Sequence, residues 1–543
     1  TDGNVYCFQC FKDMLEGEPV NGTFYFEGRP ESSIHDFTKD KCFAFSYIEY
    51  DSDQKQYVSQ NKYELTVQDP DNPSDNNARS TYVVDSSNTL ISSTIGTNVS
   101  TLDIPAQIGP YHIYNIGANV FANKCSLKMI TIPATVQSIS DGAFKGCHNL
   151  EYVVFDSDTV SIGTDAFKTQ DFANSATHTC GGDVKNDPAN NSPAVKLKFV
   201  GNITSTSTPY LYAMNPNSNY NNGSQAVSYI EYRSGWPTNI TVQYNKEKGV
   251  SELIDFPAYS ELPNYENKTN YPYLTDAQRQ AAKDALTNDE QQKPQTEDQQ
   301  NFINSALNIV IPDGVQAIKD GLYVEKEAKD PSKEKTVTIN GLDAIEEKDF
   351  QGAERLKSIS ILGNAASIAK EAFKGCTGLE VVNITGNVTS IGDYAFDGCT
   401  SLGSTEDSEV VLSGTITSLG RIPFKNCKKL QTVTFLGNDY YSCDNSIIYG
   451  MSNGAKASIV ECLEGRTKNG SGRFVKASET AGVTKLEPEA FRYGDSLSEI
   501  DLSDTMITEV PEYAFADTPK LRTVKLPATT VKLNNNVFDH SEM

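Results

Sequence analysis

The sequence predicts an α/β solenoid, short parallel strands with convex helical turns stacked one repeat upon the next, and three observations carry that reading. The first is an aromatic residue that recurs five positions after an aliphatic one, at Phe121, Phe144, Phe167, Tyr323, Phe350, Phe373, Phe396, Phe424, Phe491, Phe515 and Phe538. The second is their spacing of mostly 23 or 24 residues, within the period of a leucine-rich-repeat solenoid, where one repeat cannot bury its apolar face without neighbours. The third is strand alternation inside the repeat: in 127–132, Leu127, Ile130 and Ile132 point to a core while Met129 and Thr131 face away, and Pro133 then ends the ladder.

The elements follow in order. Residues 1–80 lack anchors and hold short aromatic and β-branched runs between polar turns, which predicts a small β-rich N-terminal region that caps the solenoid. Residues 81–167 form a first repeat block. There Phe144, Cys147 and Leu150 are spaced for one helical turn on the convex side. Residues 168–308 interrupt the count. They contain degenerate strands such as 195–199 and 227–232, then two capping boxes, Thr275 with Gln278 and Thr296 with Gln299, which predict an inserted helical hairpin. Residues 309–543 form a second block, broken at 439–470 by a β-hairpin whose outer ends carry Cys443 and Cys462.

The strings Ala143-Phe-Lys-Gly-Cys-His-Asn-Leu150, Ala372-Phe-Lys-Gly-Cys-Thr-Gly-Leu379 and Ala395-Phe-Asp-Gly-Cys-Thr-Ser-Leu402 resemble the BspA-like class of leucine-rich repeats, as do Ile132-Pro-Ala-Thr-Val-Gln-Ser-Ile139 and Leu526-Pro-Ala-Thr-Thr-Val531. The resemblance implies a secreted or cell-surface protein of the kind that includes adhesins. The first 80 residues and 168–308 have no counterpart in that pattern.

A formal net charge of −25 and a pI near 4.7 argue against nucleic acid and anionic membranes as partners. No run approaches the roughly 20 apolar residues of a membrane span. The chain starts at Thr1 rather than Met, as expected of a processed or internal start. Of eleven cysteines, Cys125, Cys147, Cys376, Cys399 and Cys427 fall three or four residues after an anchor and read as core thiols. Cys443 with Cys462, and Cys42 with Cys10 or Cys7, could close as disulfides. Cys7, Cys10, His35 and Cys42 also offer the ligand types of a structural zinc site, the weaker reading because no second paired motif accompanies them. No His among five stands in a nucleophile motif, and no phosphate loop or metalloprotease helix occurs, so neither catalytic residue nor cofactor is expected.

What remains is surface. Strand phase places Thr131, Tyr152, Ser358, Ser360, Asn383, Thr432 and Thr434 outward on the concave sheet, with Met129 among their apolar neighbours. The expected function is recognition or adhesion, with a host or matrix protein or a glycan held on that face and the inserted loops. The alternative is a self-associating coat, matrix or fibre subunit, suggested by an anchor, Phe538, with no polar cap after it.

Overall fold

A solenoid grows only if each repeat offers the next one a rung in register. In the computed structural model, the described residues are 43–51, 56–68, 74–109, 111–167, 197–201, 209, 228–233, 236–245, 247–256, 258, 261, 274–287, 303, 307–331, 333–469 and 473–541. They belong to two units, Thr1–Pro237 and Thr238–Met543.

In the first unit the strands Thr101–Asp103, Met129–Ile132, Tyr152–Phe155, Lys198–Gly201 and Ser228–Arg233 form a parallel ladder, with Leu102, Ile130, Val153 and Phe199 in one inward row. A second ladder of two-residue strands aligns Ile116, Ile139 and Ile162, the aliphatic partners of the anchors. Between the ladders the rings of Phe121, Phe144 and Phe167 stack at 5.0 and 4.8 Å with planes 1° apart. Offset parallel rings at this spacing add about 0.5–1.5 kcal/mol per pair beyond the area they bury.

The second unit repeats the plan. Ile309, Val337, Ile359, Val382 and Val410 form the inward row of a six-stranded parallel sheet, all nearly sealed from solvent. Ile368, Ile391 and Leu419 form the short ladder. Phe350, Phe373, Phe396 and Phe424 stack at 5.3, 5.1 and 5.3 Å, and after the interruption Phe491, Phe515 and Phe538 stack at 5.6 and 5.4 Å.

Each block starts in the same way. An antiparallel hairpin precedes it, and the hairpin's second strand supplies the first rung of the short ladder. In the first unit Arg79–Asp85 and Thr89–Ile95 place Leu90 beside Ile116. In the second, Trp236–Asn245 and Val250–Asp255 place Leu253 beside Ile318, and Ile447–Ser452 and Ala455–Cys462 place Ile459 beside Leu486. All three aliphatic residues are buried to within 1%. A parallel strand needs a partner on both sides, and a hairpin satisfies its own outer edge before offering the other.

The expected convex helices are corrected. The segment from 141 to 146 is a run of turns, and one convex element alone among the described repeats is helical, Leu322–Lys329. The amides explain why. Ala143 and Lys145 donate locally to the Ser140 and Gly142 carbonyls, but Phe144 donates to the next repeat at Ala166, as Phe121 does to Ala143 and Phe373 to Ala395. Alternate amides are thus pledged to the neighbouring repeat, so an i to i−4 helix cannot form. Left-handed residues two before and two after the anchor aim those amides along the stack: Glu371 and Gly375 around Phe373, Tyr394 and Gly398 around Phe396, Tyr513 and Asp517 around Phe515.

Of the expected helical hairpin, the first helix is present as Asp276–Thr287, with Gln278 N–H donating to Thr275 Oγ1 at 3.2 Å and Thr275 N–H to Gln278 Oε1 at 2.9 Å. The second capping box lies outside the described residues, so a hairpin is not established. Met129, expected outward and open, is 9% exposed.

Replacing Phe373, which is fully buried between two rings, with Ala should cost about 3–5 kcal/mol. Phe538 has one ring neighbour and is partly buried, and Phe538→Ala should cost on the order of 1–2 kcal/mol. Urea unfolding midpoints of the two variants test the ranking, and equal shifts would mean that stacking is not what holds the blocks.

Candidate recognition surface

Five of the seven predicted surface residues lie in the second unit. Register places Val310, Thr338, Ser360, Asn383, Val411 and Thr434 in one row on the outer side, where Val411 is nevertheless buried, and Asn308, Thr336, Ser358, Val381 and Glu409 in the row beside it. Thr432 precedes Thr434 by one pleat, and both are exposed. Thr336 donates to Asn308 at 2.8 Å. Ser358, Ser360, Asn383 and Thr434 form no side-chain hydrogen bond to a described residue, which leaves hydroxyls and an amide on the outer face of three of the six strands. Thr131 and Tyr152 belong to the first unit. Tyr152 lies between Met129 and Lys198, whose ammonium sits 5.9 Å from its ring centroid.

The sequence did not point to a second feature, an open groove of about 470 Å³ between the short strand Ser418–Leu419 and the inserted antiparallel sheet. Asp393, Arg421, Tyr440, Tyr441, Met451 and Glu487 supply its distinctive chemistry. Tyr441 replaces the missing rung there: its hydroxyl accepts from Leu419 N–H at 3.0 Å and lies 3.5 Å from the Thr417 carbonyl. Tyr440 beside it is 51% exposed. The one sequence signal was the 67-residue gap between Phe424 and Phe491, because aromatic residues in a loop carry no period that would announce their position.

The same gap is closed at the turns by carboxylates. Phe424 N–H donates to Glu461 Oε2 at 3.3 Å and Asn426 N–H to Glu464 Oε1 at 2.7 Å, where the next repeat's carbonyls would otherwise stand. Burial pushes the Glu464 carboxyl up from 4.5 to about 7, and the Glu461 carboxyl well above its ordinary range. Along this face Tyr394 donates to Glu489 at 2.8 Å, Lys425 lies over the Tyr394 and Tyr493 rings, and Arg492 pairs with Glu489 and Asp517 at 3.0 and 2.7 Å. These charges are mutually satisfied and brace the two blocks of the unit.

The cysteine expectations divide. Cys147, Cys376, Cys399 and Cys427 are buried free thiols, and each donates to the carbonyl of the preceding anchor at 3.0–3.2 Å. Burial pushes Cys147 up to about 12, so a thiolate partnered with His148 is not available at neutral pH. Cys125 corrects the core reading: four rather than three positions after its anchor, it misses the carbonyl, is partly exposed and is disulfide-bonded. The Cys443–Cys462 bridge is also corrected, since both are free. Cys443 opposes Ile448 and Cys462 opposes Ile447 on opposite sides of the central strand. Two strand spacings, about 9–10 Å, exceed disulfide reach. Cys7, Cys10, His35 and Cys42 lie outside the described residues. Among the described residues no group of acids, His and Cys could hold a metal, and no helix is long and apolar enough to cross a membrane.

Twin parallel ladders, a ring column and thiol-capped turns define a leucine-rich-repeat protein with a polar strand face. The BspA type leucine rich repeat region matches residues 95–183, 298–406, 329–453 and 469–543 in six copies, more than half of the chain, and the protein belongs to that family. Similar solved structures include a leucine rich cell surface protein from Faecalibacterium prausnitzii (16% identity, 86% of this chain and 79% of that one, TM-score 0.30). Others are a leucine-rich repeat protein from Bacteroides ovatus (16%, 84% and 88%, TM-score 0.25) and the pneumococcal vaccine antigen PcpA (10%, 84% and 70%, TM-score 0.26). No curated protein matches the chain.

Glu464 holds its proton to about pH 7 when folded and releases it near 4.5 when unfolded, so folding takes up a proton between those values. Its stabilising share is complete below about pH 4.5 and is lost as pH rises to about 7, a change of up to roughly 3 kcal/mol. Glu464→Gln keeps an acceptor for Asn426 without a titrating group and should flatten the fall in stability over that window in chemical denaturation. An unchanged slope would remove Glu464 as its source. Thiol labelling gives a separate check: in native protein Cys443 should react before Cys147, Cys376, Cys399, Cys427 and Cys462, which should label only on unfolding.

Proposed function

We propose that the chain is a non-enzymatic recognition protein, displayed outside the cell, that holds a protein or glycan partner on the concave strand face of its second unit and the adjoining groove. The observation that carries this reading is the set of unbonded polar groups on one face of the sheet, Ser358 and Ser360 on one strand, Asn383 on the next and Thr434 two strands further, beyond Val411, close to a groove with an exposed tyrosine. Fixed hydroxyls and amides at rung spacing suit a repeating polar ligand, and Tyr440 offers a ring face for a sugar or an apolar side chain. The reading is supported by family membership and by buried, protonated thiols where a nucleophile would be sought. The strand-borne groups sit on a rigid frame, so the ordering cost of binding falls mainly on the partner.

Screening the wild-type chain against glycan and extracellular-matrix protein arrays, then repeating each positive with Ser360→Arg, Asn383→Arg and Tyr440→Ala, tests the proposal. Capture should drop at least tenfold in the Arg variants while circular dichroism stays native. Undiminished capture by both Arg variants would remove the concave face from the account.

A self-associating subunit is the second reading, favoured by Val531, Leu533 and Met506, which are 85%, 53% and 54% exposed in the last repeats. Light scattering over a concentration series distinguishes it: a mass that stays monomeric sinks self-association.

A further inference from the structure

The helix Leu322–Lys329 ends at Asp330, and the strand Lys335–Gly341 begins five residues later. The two ends are pinned by the backbone. Asp330 N–H donates to the Glu327 carbonyl at 2.9 Å, Lys333 N–H to the Asp330 carbonyl at 3.1 Å, and Lys335 N–H to the Arg355 carbonyl in the next repeat at 2.9 Å. Both side chains then turn into the core. Lys335 Nζ lies 3.2 Å from Asp330 Oδ2, with the side chains 1% and 2% exposed, and among the described residues no other ion pair has both partners so completely sealed. The neighbouring pair of Lys326 with Asp255 keeps its carboxylate 53% open.

The Lys335 side of this pair is poorly compensated as an ion. Removing a carboxylate and an ammonium from water costs several kcal/mol each, and sealed pairs ordinarily recover it through further hydrogen bonds. The Lys335 ammonium has three donors and makes one hydrogen bond among the described residues, to Asp330. The Phe256 ring centroid lies 5.8 Å from it. Burial lowers the Lys335 ammonium toward the neutral amine. Glu327, one helical turn before Asp330 and 7% exposed, accepts the Arg355 amide, and burial raises its carboxyl, so it carries a proton more readily than an open glutamate. An amine whose charge burial disfavours, a carboxyl within contact distance, a buried acid and the exclusion of water are the components of an amide condensation.

We propose that Lys335 and Asp330 join as an intramolecular amide, a modification site that locks the end of the helix to the start of the strand. A proton passes from the Lys335 ammonium to the Asp330 carboxylate, giving amine and acid. The Nζ lone pair attacks Asp330 Cγ, the Cγ–Nζ bond forms, and the Cγ–O bond breaks. The hydroxyl leaves with a proton from nitrogen as one water, with Glu327 passing that proton between the two. No oxidant, reductant or activated donor enters the balance. Both buried charges disappear, and one N–H and one carbonyl take their place.

The test is the mass of the denatured, reduced full chain and of its tryptic peptides. A cross-linked protein is lighter than its sequence by the mass of one water, and it yields residues 330–333 joined to 334–348 with no cleavage after Lys335. A full sequence mass with 330–333, 334–335 and 336–348 released as separate peptides overturns the proposal on the wild-type chain, with no variant needed. Lys335→Met should restore the missing water. Glu327→Gln keeps an acceptor for Arg355 and should leave the peptides unjoined while circular dichroism stays native. A fully joined Glu327→Gln chain would overturn the proton-relay role.

Discussion

The constraint on which this structure depends is that no repeat satisfies its own backbone. Half of the turn amides, such as those of Phe144, Phe373 and Phe515, donate to the following repeat, and both ladders present a fresh open edge after every rung. A buried amide without an acceptor costs about 1–3 kcal/mol, so neither a start nor a stop can be left bare. The starts are hairpins, whose second strands donate Leu90, Leu253 and Ile459 to the short ladder. At the 424–491 interruption the stop is made by side chains. Glu461 and Glu464 accept the turn amides, Tyr441 accepts from Leu419, and Asn438 donates to the Ser413 and Ile416 carbonyls at 3.1 and 2.8 Å.

That substitution has an electrostatic consequence. A carbonyl is neutral, whereas a carboxylate placed in the same dry position disfavours its own charge. Glu461 and Glu464 therefore retain protons that exposed glutamates would have lost. At this seam stacking is replaced by titrating groups. It is also where the groove opens, because a tyrosine ring fills less of the rung position than a strand would.

Legibility followed periodicity. The anchors, their aliphatic partners and the alternating strands were readable because each recurs in fixed phase, and all describe the core of the structure. The convex turn was misread since Phe144, Cys147 and Leu150 have helical spacing, and spacing cannot tell whether an amide donates to its own turn or to the next repeat. Cys443 and Cys462 were misread for a similar reason: the run 444–449 looked like the first strand of a hairpin, but Asn445 and Ser446 adopt positive φ and turn the chain, leaving Cys443 on a third strand. On the outer strand face, phase alone placed Ser360, Asn383 and Thr434 in one row. The groove depends on residues 440, 441 and 451 meeting 393 and 421, a convergence that only tertiary structure reveals.

The cysteines show how far a repeat position can be separated from its chemistry. Cys147, Cys376, Cys399 and Cys427 each donate a weak hydrogen bond to the preceding anchor's carbonyl, and a serine does the same: Ser541, three residues after Phe538, bonds Phe515 at 2.7 Å. A thiol suits it because a small apolar donor loses less on burial than a hydroxyl, while sealing it raises the thiol rather than activating it. Cys125 shows the converse. One residue out of register, it is partly exposed and oxidised. Cysteine count therefore says little about compartment in this chain, because register decides whether each sulfur becomes a core atom or a cross-link.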